Sequence, residues 1–206
     1  EISECLVGSE MCIRDRTPAA REALMRDVIP DEYVPYPSPS HAYHIKNKGL
    51  MPPQTVGGMF VGLKEPEDSD DPAQRVYSKA KFMGTHCQGQ TEVDVNGIGP
   101  TIRAEHHGNI EYRRLSKEHG GIIDKELKKG LKERRLTPRE CALIQTFPLD
   151  YEFVIPHEEN KQRYILSPSA AYKIIGNAVP PLLAYHIGKR IENLWDLYFE
   201  PDEVVI

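Results

Sequence analysis

Arg134-Arg135-Leu136-Thr137-Pro138-Arg139-Glu140-Cys141, running on to Gln145-Thr146-Phe147-Pro148, and then Gly176-Asn177-Ala178-Val179-Pro180-Pro181, are the stretches that decide the fold. Thr137 followed by Pro138 is a helix start, because Pro suits the first helical turn. Glu140 suits the positive end of that helix, and the neighbouring charges Arg139 and Glu140 can each bond a different partner. The helix is expected to stop near Phe147-Pro148. Ser167 and Pro168 open a second helix, expected to reach residue 175. Gly176 then permits close backbone approach, Asn177 offers both a donor and an acceptor, and Pro180-Pro181 stiffly starts a third helix. Leu183, Ile187, Ile191, Leu194 and Tyr198 recur at three- and four-residue spacing, so that helix is expected over 181–198 with one apolar side.

Upstream the texture changes. A helix is expected over 17–28, opened by Thr17 and Pro18, with Ala23, Leu24 and Val28 on one face. Six prolines between positions 30 and 53 make that stretch a loop, which Tyr33, Tyr36 and Tyr43 can pack. Residues 55–63 have strand composition interrupted by glycines. Short strands are expected over 76–83, 91–95 and 101–104, separated by glycine turns.

In order and spacing, the two opening stretches resemble the last two motifs of the DNA (cytosine-5) methyltransferases. The likeness is strongest over 134–188, moderate over 77–114 and weak before that. It implies an α/β fold, the C-terminal part of an S-adenosylmethionine-dependent methyltransferase, carrying a mostly β, irregular target-recognition domain. Residues 17–133 would be that recognition domain, and 134–206 would return the chain to the catalytic domain. In the family the first motif organises the recognition domain against the catalytic one, which makes Arg134, Arg135 and Arg139 expected DNA-phosphate contacts. The second motif reaches the S-adenosylmethionine pocket, which assigns Asn177, Ala178 and Val179 to the cofactor. The segment Gly99-Pro100-Thr101-Ile102-Arg103-Ala104 is similar to the late part of the recognition domain. Thr101 and Arg103 are therefore expected at phosphates or base edges, with Gln88 and Gln90 as further base readers.

The family's Phe-x-Gly-x-Gly cofactor loop, Pro-Cys-Gln nucleophile loop, Glu-Asn-Val and Gln-x-Arg-x-Arg motifs do not occur in these 206 residues. C5 of cytosine is a poor nucleophile until a thiolate has added at C6, so no catalytic residue is assigned and the chain alone is expected to be inactive. Double-stranded DNA and a separate N-terminal catalytic half are the expected partners. A restriction endonuclease acting on the same site would accompany a restriction–modification enzyme. A DNA-binding module without catalysis, and a subunit completing a split methyltransferase in trans, remain open alternatives. An RNA cytosine-5 methyltransferase fits less well, because the insert before the first motif is large.

The remaining features bound these readings. Cys141 stands between Glu140 and Ala142 in a helix, unlike a nucleophile in a Pro-Cys-Gln loop, and reads as a small buried side chain. Cys87 follows His86 in a glycine-rich segment and reads as recognition-domain backbone. His86, Cys87, His106, His107 and His119 lack metal-ligand spacing, so no metal is assigned. Cysteines without a CxxC pattern fit a reduced, cytoplasmic protein, and no apolar run is long enough to span a membrane. The net charge of −5 hides two opposed runs. Residues 65–71 hold five acids and are expected to form an exposed loop, whereas 124–139 set seven basic side chains against three acids. Within residues 1–16, Leu6-Val7-Gly8-Ser9-Glu10-Met11-Cys12-Ile13-Arg14-Asp15-Arg16 resembles the translation of a transposon adapter used in sequencing libraries. That segment is expected to be foreign to the fold, Cys5 and Cys12 with it.

Overall fold

The computed structural model describes residues 40–41, 49–79, 92–104, 112, 114–121, 125–160 and 162–195. The expected helix over 17–28 lies outside them, as do Gln88 and Gln90. Two compact units divide the chain, Pro52–Ala178 and a second made of Glu1–Met51 with Val179–Ile206.

The first unit contains helices α1 (Val56–Met59), α2 (Pro72–Arg75), α3 (Lys125–Lys128), α4 (Pro138–Ile144) and α5 (Pro168–Asn177). It also holds a 3-10 turn at Lys117–His119 and an antiparallel pair, β1 (Ile155–Pro156) with β2 (Tyr164–Leu166). Its core joins Val56, Ala73, Val93, Val95 and Ile102 to Leu136, Cys141, Ala142, Phe153, Ala171 and Ile175. Positions 133 and 134 lie inside this unit, and core residues come from both sides of them.

Among the described residues, the helices expected to start at Pro138, Pro168 and Pro181 are present. Thr137 Oγ1 accepts from the Glu140 amide, and Glu140 reaches back to the Thr137 amide, a complete capping box on α4. Ser167 caps α5 through the Ala170 amide at 3.2 Å. At the far end of α4 the Thr146 amide donates to the Leu143 carbonyl and the Phe147 amide to Ala142, a Schellman arrangement. Its left-handed position, usually glycine, is held by Thr146 at φ 64°. Thr146→Gly is therefore expected to raise stability by about 0.5–1 kcal/mol, the relief of strain exceeding the added flexibility of glycine. Thermal denaturation would show this as a higher Tm, and a lower Tm would mean that the Thr146 side chain outweighs its strain.

The strand expectations over 55–63, 76–83, 91–95 and 101–104 are corrected among the described residues. Residues 56–59 form α1, because Thr55 Oγ1 caps the turn through the Gly58 amide at 3.1 Å. Gly57 lets that turn close on the Val95 carbonyl, which its amide reaches at 2.7 Å. Residues 92–95 do alternate, with Val93 and Val95 buried and Asp94 exposed, but no ladder forms on them. Single backbone bonds stand in for a sheet, such as Val56 N–H to the Gly97 carbonyl and Arg135 N–H to the Ser78 carbonyl, each 3.0 Å. Among the described residues before position 134, the chain is irregular, with an isolated bridge between His41 and Met51 and no strand.

The second unit contributes helix α6, Pro181–Asn193, which begins at the expected proline. No residue of α6 is buried, and Leu182, Leu183, Tyr185, Ile187 and Ile191 are exposed. Among the described residues no helix is long and apolar enough to cross a membrane.

Candidate functional site

The start of α4 carries a buried polar network. Arg134 Nη1 and Nη2 donate to the two Glu140 carboxylate oxygens at 2.7 and 2.8 Å, a bidentate pair. Glu140 also accepts from the Thr137 amide at 2.9 Å and from Gln74 Nε2 at 3.3 Å. The Thr137 hydroxyl donates to Gln74 Oε1 at 2.6 Å while accepting from the Glu140 amide. Gln74 Nε2 reaches the Lys64 carbonyl at 2.9 Å as well, so one buried amide ties the acidic run, α2 and the α4 cap together. Burial opposes the charge on Arg134, and the Glu140 bonds overcome it, holding the guanidinium protonated more firmly than usual.

A second guanidinium sits alongside. Arg114 pairs with Glu126 at 2.7 Å and with both oxygens of Glu65. Arg114 and Arg134 both lie over the Tyr112 ring, 4.9 and 4.4 Å from its centroid. Arg139 Nε pairs with Asp71, whose other oxygen caps α2 through the Ala73 amide.

These contacts bear on two expectations. Arg134, Arg135 and Arg139, expected at DNA phosphates, are 2%, 4% and 3% exposed in this chain. The run at 65–71 is an exposed loop only in part. Asp70 faces solvent, but Glu65 and Asp71 turn onto Arg114 and Arg139, and Glu67 meets Lys132 and Tyr77. Burial opposes ionisation of Glu67, and the bonds from Tyr77 and Lys132 override it, leaving its carboxyl below the ordinary glutamate range. The acidic and basic runs meet in pairs such as Asp71 with Arg139 and Glu67 with Lys132.

The second motif is bolted to the first. Tyr172 on α5 donates to the Leu136 carbonyl at 2.6 Å, and Gln145 Nε2 at the end of α4 donates to the Ile175 carbonyl at 3.3 Å. Residues 99–104 pack on both helices. Gly99 lies against Ile144, and Gly176 lies so close to the Arg103–Ala104 backbone that a Cβ there would clash with it. Ile102 is buried, while Thr101 and Arg103 are half-buried. The structure therefore brings the backbone of Arg103 and Ala104 to the end of α5, where Asn177 is exposed and Ala178 half-buried. Val179, also exposed, begins the second unit.

Cys141 is fully buried on α4, as its helical setting implied. Burial, reinforced by the nearby Glu140 charge, pushes its thiol well above the usual range, which suits a core side chain and not a nucleophile. Gln74 went unread in the sequence analysis. Its only signal was position, inside a short turn opened by Asp71-Pro72.

The arrangement is that of two capped helices locked together, with a glycine-bearing segment threaded against them. The family model for C-5 cytosine-specific DNA methylases matches residues 54–193, and the chain belongs to that family. Among curated relatives, it is 41% identical to the type II methyltransferase M.AquIB of Picosynechococcus sp. over 69 residues, 33% of this chain and 50% of that protein. It is 47% identical to M.FnuDI of Fusobacterium nucleatum over 60 residues, 29% of this chain and 14% of that one. With M.BsuRI of Bacillus subtilis the identity is 28% over 172 residues, 80% of this chain and 36% of the relative. The chain thus spans half or less of the length of each of these relatives.

Proposed function

We propose that this chain is the target-recognition and cofactor-closing part of a DNA (cytosine-5) methyltransferase of a restriction–modification system. In the whole enzyme a methyl group passes from S-adenosylmethionine to C5 of a cytosine within a specific duplex site. The observation that carries this reading is the seating of the Arg103–Ala104 backbone against Gly176, next to the residue suited to the cofactor.

The residues fit those tasks. Asn177 ends α5 exposed, with an amide able both to donate and to accept, as an adenosyl group requires. Ala178 and Val179, which follow it in the motif, are assigned to the cofactor with it, and S-adenosylmethionine would supply the electrophilic methyl. Thr101 and Arg103 would meet DNA, with Gln88 and Gln90 reading bases. The target cytosine must leave the duplex stack for C6 to be attacked. The attacking cysteine would come from a polypeptide segment outside these residues, and the exposed apolar side chains of α6 suit packing on such a catalytic domain. A cytoplasmic setting, with a cognate endonuclease cutting the same site, completes the reading.

A second reading, one subunit of a methyltransferase assembled from two chains, is favoured by a single observation. A match of 69 residues covers 50% of M.AquIB, so that relative is itself shorter than this chain.

Transfer of tritiated methyl from S-adenosylmethionine to duplex DNA tests both readings. The purified chain is expected to transfer none by itself. It is expected to gain activity when joined to, or mixed with, a segment that supplies the nucleophile. Transfer by the 206 residues without that segment would overturn the assignment.

A further inference from the structure

The basic run at 124–139 is sorted by the fold into two kinds of cation. Arg134 and Arg139 are turned inward onto Glu140 and Asp71 and Arg135 is buried beside them, whereas Lys125, Lys128, Lys129 and Lys132 are exposed. Two acids of the same run have partners of their own. Glu126 is taken by Arg114, and Glu133 by His119. Lys125, Lys128 and Lys129 stand at i, i+3 and i+4, which places them on one side of a helical turn. The turn is fixed at its end, where the Gly130 amide donates to the Leu127 carbonyl at 2.9 Å and the Leu131 amide to the Glu126 carbonyl at 3.1 Å. Gly130 takes the left-handed conformation, φ 85°, that this stop requires.

We propose that Lys125, Lys128 and Lys129 form a strip that contacts the phosphates of duplex DNA, in the role the buried arginines cannot fill. This rests on the DNA-binding reading above and assigns its backbone contacts to particular residues. Net negative charge is no obstacle, because phosphate attraction depends on local charge within a Debye length of the surface. Lys132, 3.4 Å from a Glu67 that is itself half-exposed, sits beside the strip in an exchangeable surface pair.

The test is a fluorescence-anisotropy titration of the full chain with a labelled mixed-sequence duplex at several salt concentrations. The variant Lys125→Gln/Lys128→Gln/Lys129→Gln is expected to lower the slope of log affinity against log salt by about 2–3. At about 0.1 M salt it should bind at least tenfold more weakly. The corresponding triple Lys→Arg variant, which keeps the charge, is expected to bind like the parent. All three side chains are exposed, so both variants should melt at the parent's temperature. If the parent binds and the Gln variant keeps its slope, the strip is wrong and the DNA reading stands. A parent chain that binds no duplex overturns both.

Discussion

Replacing Glu140 by alanine is expected to lower the unfolding free energy by about 3–5 kcal/mol, read as a shift of the urea midpoint. The size follows from what the carboxylate holds. It is the bidentate partner of Arg134, which is 2% exposed, so its removal leaves a buried guanidinium with only the Arg135 carbonyl at 3.0 Å and Glu65 at 3.7 Å as polar partners. It also receives the Thr137 amide and the Gln74 side chain, so the α4 cap and the link to the acidic run weaken together. Loss of the cap would itself cost about 1 kcal/mol. Removing both charges should be milder. The double variant Arg134→Met/Glu140→Leu is expected to be more stable than Glu140→Ala, because no buried charge then lacks its partner. A Glu140→Ala loss below about 1 kcal/mol would show that Arg134 finds another partner or water.

That network marks the limit of what the sequence tells. Helices α4 and α5 were legible because their signals are local: Thr137 and Ser167 as caps, a proline in each first turn, and spaced apolar residues behind them. The start of α6 was legible for the same reason. The fate of the arginines was not, because charge is visible in a sequence while the partner is not. Arg139 meets Asp71 and Arg114 meets Glu65, pairs set 68 and 49 positions apart. A basic run beside a recognised motif reads as a DNA surface until the acids that occupy it are located. The strand readings failed differently. Alternation at Val93 and Val95 does report one-sided burial, but a strand also needs a neighbour to pair with. At 55–63 the glycines read as breaks in a strand, whereas Gly57 lets a capped helical turn close on Val95. Within the candidate site, the position of Asn177 was readable from its motif. Its approach to Arg103 was not, since that depends on Gly176 fitting a surface far away in sequence.

Gly176→Ala tests that approach directly. Alanine is ordinarily the better helix former by about 1 kcal/mol, so propensity favours the change. Sterics oppose it, because the added methyl would fall on the backbone of Arg103 and Ala104, which cannot swing aside as a side chain can. The substitution is expected to cost about 3 kcal/mol net, measured by urea denaturation. Gly188 supplies the comparison. It lies within α6 with nothing near the position of a Cβ, so Gly188→Ala should stabilise by up to about 1 kcal/mol. Opposite signs for one chemical change would show that residues 103–104 rest on α5 in solution. A neutral Gly176→Ala would mean that the segment stands off from the helix. Arg103 would then lose the support that holds its backbone against the end of α5, and the observation on which the proposed function rests would fail with it.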